Sequence, residues 1–117
     1  MDRVFVRGIQ FYGHHGVAEE ERHLGQRFLM DVELSVDLRP AGGSDDLSAS
    51  IDYAEVLRVV REIGENERYY LLEALAERVA AVLLERFPAA SVRVRASKPA
   101  PPLPGAFEAV GVEISRP

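Results

Sequence analysis

The chain contains no cysteine and a single lysine. Without cysteine there can be no disulfide and no thiolate metal ligand, and nothing points to an oxidising compartment. No apolar run approaches the roughly 20 residues of a membrane span, and charges and glycines interrupt the first stretch of chain, so neither a membrane helix nor a signal-peptide core is expected. Basic residues are outnumbered, 14 against 19 acidic, for a net charge of −5. Holding a phosphate backbone relies on a concentrated basic surface, and here the arginines are scattered. Nucleic acid and anionic membranes are therefore not expected partners, and the expected location is cytoplasmic. A glycine-rich phosphate loop, a nucleophile elbow and a serine triad are also missing, which removes support for hydrolases and nucleotide-driven enzymes.

What remains is an ordinary globular composition: 117 residues, 47% hydrophobic and 28% charged. That length suits one domain, residues 1–117, with one modest core. A domain this small exposes much surface relative to its interior, and a homo-oligomer is expected. Residues 2–11 are rich in β-branched and aromatic types and predict a strand, with Gly8 a bulge or a site of close backbone approach. Over 27–38 the alternation is clear: Phe28, Met30, Val32, Leu34, Val36 and Leu38 share one face, and Leu29, Asp31, Glu33, Ser35 and Asp37 the other. Between these strands, residues 12–26 predict a long functional loop bounded by glycines.

After a polar turn, PAGGSDD, the period becomes helical. Tyr53, Val56, Leu57, Val60 and Ile63 mark a first helix, capped by Ser50 or Asp52. A second helix, from about Leu71 to Arg86, buries Leu72, Leu75, Val79, Val82 and Leu83 and stops at Phe87-Pro88. Two short alternating strands follow, around 92–96 and 110–114, joined by the proline-rich PAPPLPG. The order ββααββ predicts an α+β domain, a four-stranded antiparallel sheet with both helices on one face. Such a sheet leaves edges that pairing between subunits would cover.

Lys98 is the first candidate for chemistry, because the other thirteen of the fourteen basic residues are arginine. An amine can lose its proton where a guanidinium cannot, and the prolines that follow stiffen its surroundings. The plain alternative is a surface lysine at a strand end. Glu73, in the first turn of the second helix, reads either as a complement to the helix dipole or as a carboxylate accepting two parallel hydrogen bonds from an amidine-like edge, as on guanine or a pterin. Glu19, Glu20 and Glu21 read as a solvated run of which at most one is functional. His14, His15 and His23 lack the spacing of a metal set. Tyr53 reads as a core aromatic or as a proton relay.

Taken in order, FYGHHGV, an acid four residues before Gly25-Gln26, IDYAEV, LLEALAERVA, SKPAPPLPG and AVGVEISR resemble the dihydroneopterin aldolase family of folate biosynthesis. The resemblance runs through nearly the whole chain. It implies the tunnelling fold, in which four subunits join their sheets into a barrel and two rings stack as an octamer, with active sites between subunits. It implies retro-aldol cleavage of dihydroneopterin to hydroxymethyl-dihydropterin and glycolaldehyde, often with epimerisation. Lys98 takes the position of the general acid/base, and Tyr53 that of a proton-relaying tyrosine from the neighbouring subunit. Glu73 takes that of the carboxylate gripping the pterin, Leu72 supplies a backbone contact beside it, and Glu21 matches the loop acid. Counting back from Gly25-Gln26 selects Glu21, and a one-residue slip would select Glu20. No metal, cofactor or Schiff base is implied, because the ring imine of the dihydropterin can accept the electron pair. His14 and Ala54 depart from the family's usual residues without removing a catalytic group. An epimerase of dihydroneopterin or its triphosphate and a non-catalytic pterin-binding oligomer are the rival readings.

Overall fold

The computed structural model describes residues 1–117. Four strands form one antiparallel sheet in the order β1 (Arg3–Gly13), β2 (Gln26–Ser35), β3 (Ser91–Lys98) and β4 (Val110–Arg116). Two long helices, α3 (Tyr53–Asn66) and α4 (Leu72–Arg86), lie between β2 and β3 in the chain, and two short ones, α1 (Glu19–Leu24) and α2 (Arg39–Ser44), precede them. A 3-10 turn, Leu47–Ala49, leads into α3. No helix is long and apolar enough to cross a membrane.

The alternation of β2 governs the core. Phe28, Met30, Val32 and Leu34 are buried, and the register sets Met30 opposite both Ile9 and Ala96, and Val32 opposite Val94. With Phe11 and Val92 these residues meet the buried sides of α3 and α4 in a single cluster of 21 residues. On the other side of the sheet, opposite charges face each other across strands, Asp31 with Arg95, Glu33 with Arg93 and Arg95 with Glu113. They line a shallow groove together with Phe5 and Arg7.

Several expectations need correction. β2 stops at Ser35, and Leu38, expected on its core face, instead precedes α2 as its N-cap. Residues 12–26 are not one long loop, because β1 continues to Gly13 and α1 fills 19–24. The PAGGSDD turn contains most of α2, whose Pro40 stands at the helix start, where a missing N–H costs nothing. Tyr53 and Leu57, counted on the apolar stripe of the first helix, are 67% and 37% exposed, and Val59 is buried in their place. The three-and-four spacing marked the helix correctly, but apolar residue types extend onto its outer side.

Other details agree with the sequence. Asp52 caps α3, its carboxylate accepting the Ala54 N–H at 3.0 Å. Gly8 lies in the irregular step of β1 between Val6 and Ile9, where its N–H donates to Asp31 Oδ1 at 2.5 Å.

Candidate active site

The last residue of β3 is Lys98, and β2–β3 pairing places Ser97 opposite Leu29, three residues into the strand from Gln26. Its ammonium reaches Glu21 Oε2 at 2.6 Å, with side-chain exposures of only 14% and 8% for the two partners. Of the three consecutive glutamates, Glu19 and Glu20 face solvent and Glu21 turns inward.

Six residues, five of them polar, would not hold a helix in isolation, so α1 depends on its surroundings. Its acids stand in the first turn, with Arg22 and His23 in the last, in keeping with the helix dipole. Tyr12 Oη donates to the Leu24 carbonyl at 2.6 Å, and His14 Nδ1 donates to the Arg22 carbonyl at 3.0 Å. Arg22 Nη1 in turn donates to the carbonyls of Gly16 and Val17 at 3.0 and 2.6 Å. Glu21 is the third residue of α1, and its Oε1 accepts the Ala18 N–H at 3.3 Å, one half of a capping box.

Gln26 completes the cluster. Its Nε2 donates to the same Glu21 Oε2 at 2.8 Å, which turns the amide so that its Oε1 is buried without a protein partner. An acceptor is thereby left beside the ion pair for a water or a ligand donor. Burial pushes the Glu21 carboxyl up, but the hydrogen bonds from Lys98 and Gln26, the Lys98 charge and the Ala18 amide outweigh it and hold the group below its ordinary value.

Leu72 and Glu73 open α4. Leu72 is buried and Glu73 is exposed, and no side chain caps the amides of this first turn, which have no intrahelical acceptor. They sit at the same end of the fold as Lys98. Tyr69, three residues earlier, exchanges hydrogen bonds with His15 and Gly16, and an added Cβ on Gly16 would come within 2.5 Å of Glu21.

Tyr53 lies elsewhere. It is the first residue of α3, whereas Gly64, near the other end of that helix, is the residue that contacts His15. At 1.5 Å per residue the separation along α3 is about 16 Å. No hydrogen bond links Tyr53 or Glu73 to Lys98 or Glu21 within the chain. The three histidines do not converge either: His14 is tied to α1, His15 is buried in the core and His23 is exposed.

The sequence names Lys98, Glu21, Leu72 and Glu73, which the structure gathers at one end of the molecule, and Tyr53, which it sets apart; Gln26 and His15 are not singled out. Gln26 enters the sequence reading only as the mark from which Glu21 is counted, and nothing in its local pattern distinguishes it from a surface amide at a strand start. His15 was weighed only as a metal ligand. Its position in the sequence, two residues beyond the strand pattern that ends in Phe11 and Gly13, would have extended the inward face of β1.

Comparison with known proteins identifies the family. The dihydroneopterin aldolase (FolB) family model matches residues 4–115. The dihydroneopterin aldolase of Bacillus subtilis (strain 168) is 47% identical over 117 residues, spanning 99% of this chain and 98% of the relative. The crystal structure of E. coli dihydroneopterin aldolase in complex with neopterin superposes with a TM-score of 0.93 at 35% identity over all of both chains. A dihydroneopterin aldolase from Burkholderia bound to guanine superposes with a TM-score of 0.78 at 30% identity, covering 98% of this chain and 89% of that one. The chain belongs to the dihydroneopterin aldolase family.

Proposed function

We propose that the protein cleaves dihydroneopterin by a retro-aldol reaction, giving hydroxymethyl-dihydropterin and glycolaldehyde, a step of folate biosynthesis. The observation that carries this reading is the secluded Lys98–Glu21 pair, 2.6 Å apart at the end of β3, in a member of this family. Lys98, as the free amine and acting through a water, takes the proton from the hydroxyl on the second side-chain carbon. The bond between the first and second carbons breaks, and its electron pair passes into the ring imine. Protonation of the resulting enamine at the first carbon gives the hydroxymethyl product, so the proton taken is balanced by the one returned. Glycolaldehyde leaves with the second and third carbons. With the ring as electron sink, neither a metal nor a Schiff base is required. If the fragments recombine before leaving, the carbinol can invert, which accounts for epimerisation from the same intermediate.

The remaining residues fall into supporting parts. Glu21 and Gln26 fix the ammonium and a neighbouring acceptor. Glu73 accepts two hydrogen bonds from the ring NH and amino group of the pterin, helped by the Leu72 backbone and the amide-rich start of α4. The neopterin and guanine bound by the two solved relatives both present such an edge. Tyr53 is supplied by a neighbouring subunit, a reading favoured by its exposed ring and its place at the far end of α3. With α3 and α4 both on the core side, four copies join β1 to β4 edges and turn the charged sheet face inward, and two rings stack as an octamer.

Product analysis tests the proposal. Incubation with dihydroneopterin is expected to release glycolaldehyde, and Lys98→Ala to lower turnover by at least ~100-fold while keeping neopterin binding. An epimer formed with no glycolaldehyde would replace the aldolase by an epimerase, and unchanged turnover in Lys98→Ala would remove the lysine from the mechanism.

A further inference from the structure

His15 has no part in the reaction as described, yet it is fully buried, at 0% exposure, and both of its ring nitrogens are committed. Nδ1 accepts the Tyr69 N–H at 3.1 Å, and Nε2 donates to the Gly64 carbonyl at 2.8 Å. A backbone N–H can only donate and a carbonyl can only accept, so the ring is neutral with its proton on Nε2. The Gly64 carbonyl is among the last four of α3, which lack intrahelical partners, and His15 supplies one. Gly16 adds a second bond to the same residue, its N–H donating to the Tyr69 carbonyl at 3.0 Å. The Tyr69 ring lies nearly parallel to the imidazole, centroids 5.9 Å apart, and the imidazole meets the Phe28 ring in an edge contact at 5.0 Å.

These contacts connect two halves of the site that are remote in sequence. Gly16 rests against Glu21, and Tyr69 leads within four residues to Glu73. A second tie runs alongside, with the Arg22 guanidinium 4.6 Å from the centre of the Tyr70 ring.

We propose that His15 is a positioning residue: its neutral imidazole sets the spacing between the Lys98–Glu21 pair and the pterin-gripping start of α4. The inference rests on the roles given above to Glu73 and Leu72. Protonating Nδ1 would turn two donors, the ring and the Tyr69 N–H, toward each other and release the 67–71 connection. Burial holds the imidazole below its ordinary value, the Gly64 carbonyl pulls it up, His14 and Lys98 push it down and Glu67 pulls it up, with a net lowering.

His15→Phe keeps an aromatic ring in place but leaves the Tyr69 amide and Gly64 carbonyl without partners, whereas His15→Asn restores an acceptor near Nδ1. For His15→Phe, KM for dihydroneopterin and the neopterin dissociation constant are expected to rise roughly tenfold, with kcat within about threefold of the unaltered protein. His15→Asn should recover part of the lost affinity. Because coupling is reciprocal, saturating neopterin should also slow hydrogen exchange at the Tyr69 amide of the unaltered protein by more than the uniform slowing it gives the core amides, an excess that a merely structural staple would not give. A folded His15→Phe with unchanged KM and neopterin affinity overturns the inference. If neither variant folds, Tyr69 exchange slowed by neopterin no more than the core amides does the same. An unaltered protein that neither binds neopterin nor cleaves dihydroneopterin overturns the functional reading itself, a result separable from the other two.

Discussion

Two buried ionisable groups near the site respond to acid in opposite ways. Glu21 has its proton affinity lowered by folding, so the stability it adds is fully present above its ordinary value of 4.5 and is lost as pH falls through its lower folded value. His15 is also lowered, but as a base held neutral by burial: below its ordinary value of 6.5 the unfolded chain takes up a proton that the folded one refuses, and stability declines from there downward. Thermal unfolding followed from pH 8 to pH 3 should therefore show two separate losses, the upper one absent in His15→Phe and the lower one reduced in Glu21→Gln, where Asp37, Asp46 and Glu67 still contribute to it. A single loss confined to the carboxylate range would contradict the neutral, buried state of His15. The contrast between these residues also explains what the sequence made readable. Lys98 stood out as the sole lysine and Glu21 by its count from Gly25-Gln26, whereas His15 shares its type with two neighbours, and only the packing of Phe28 and Tyr69 around it distinguishes it.

Elements were legible where one face is buried along a regular period. The inward run Phe28, Met30, Val32 and Leu34 identifies β2, and Leu72, Leu75, Val79, Val82 and Leu83 identify α4, whose end at Phe87-Pro88 is a local signal. The two short helices offered no such period. None of the residues of α2 is buried, and in α1 only Glu21 is. Their stability comes from side chains of other segments, such as Tyr12 and His14 over α1, which no local pattern reveals. A close approach between elements provides a test. Gly64, in the last turn of α3, lies where a Cβ would overlap the Phe11 ring, itself stacked on Phe28 at 5.5 Å. Gly64→Ala should push that end of α3 away from β1 and destabilise the domain by about 1–3 kcal/mol, read as a lower urea midpoint at unchanged slope. Since the Gly64 carbonyl also holds His15, neopterin affinity should fall in the same variant. An alanine variant as stable as the unaltered chain would show that the helix end can shift freely.

For the whole molecule, one chain assembles only part of the proposed site. Lys98, Glu21, Gln26 and the start of α4 gather at one end of the sheet, while Tyr53 stands at the opposite end of α3 with its ring exposed. Both outer strands, β1 and β4, have a partner on one side only, and alternating charges cover the sheet face away from the core. In the proposed ring of copies those edges would be covered and Tyr53 of one subunit would meet Lys98 of the next. The sequence suggested such a ring through its edge strands and its family resemblance, but not which residues a single chain leaves apart. That required the length of α3 and the tie between its far end and His15. The central claim, a pterin-cleaving site completed between subunits, is tested most directly by mixing two impaired variants. Lys98→Ala and Tyr53→Phe, each nearly inactive alone, should regain up to about a quarter of wild-type glycolaldehyde release when dissociated and reassembled together, since random mixing leaves that share of sites with both residues intact. Mixed assemblies that form but stay as inactive as their parents would contradict it.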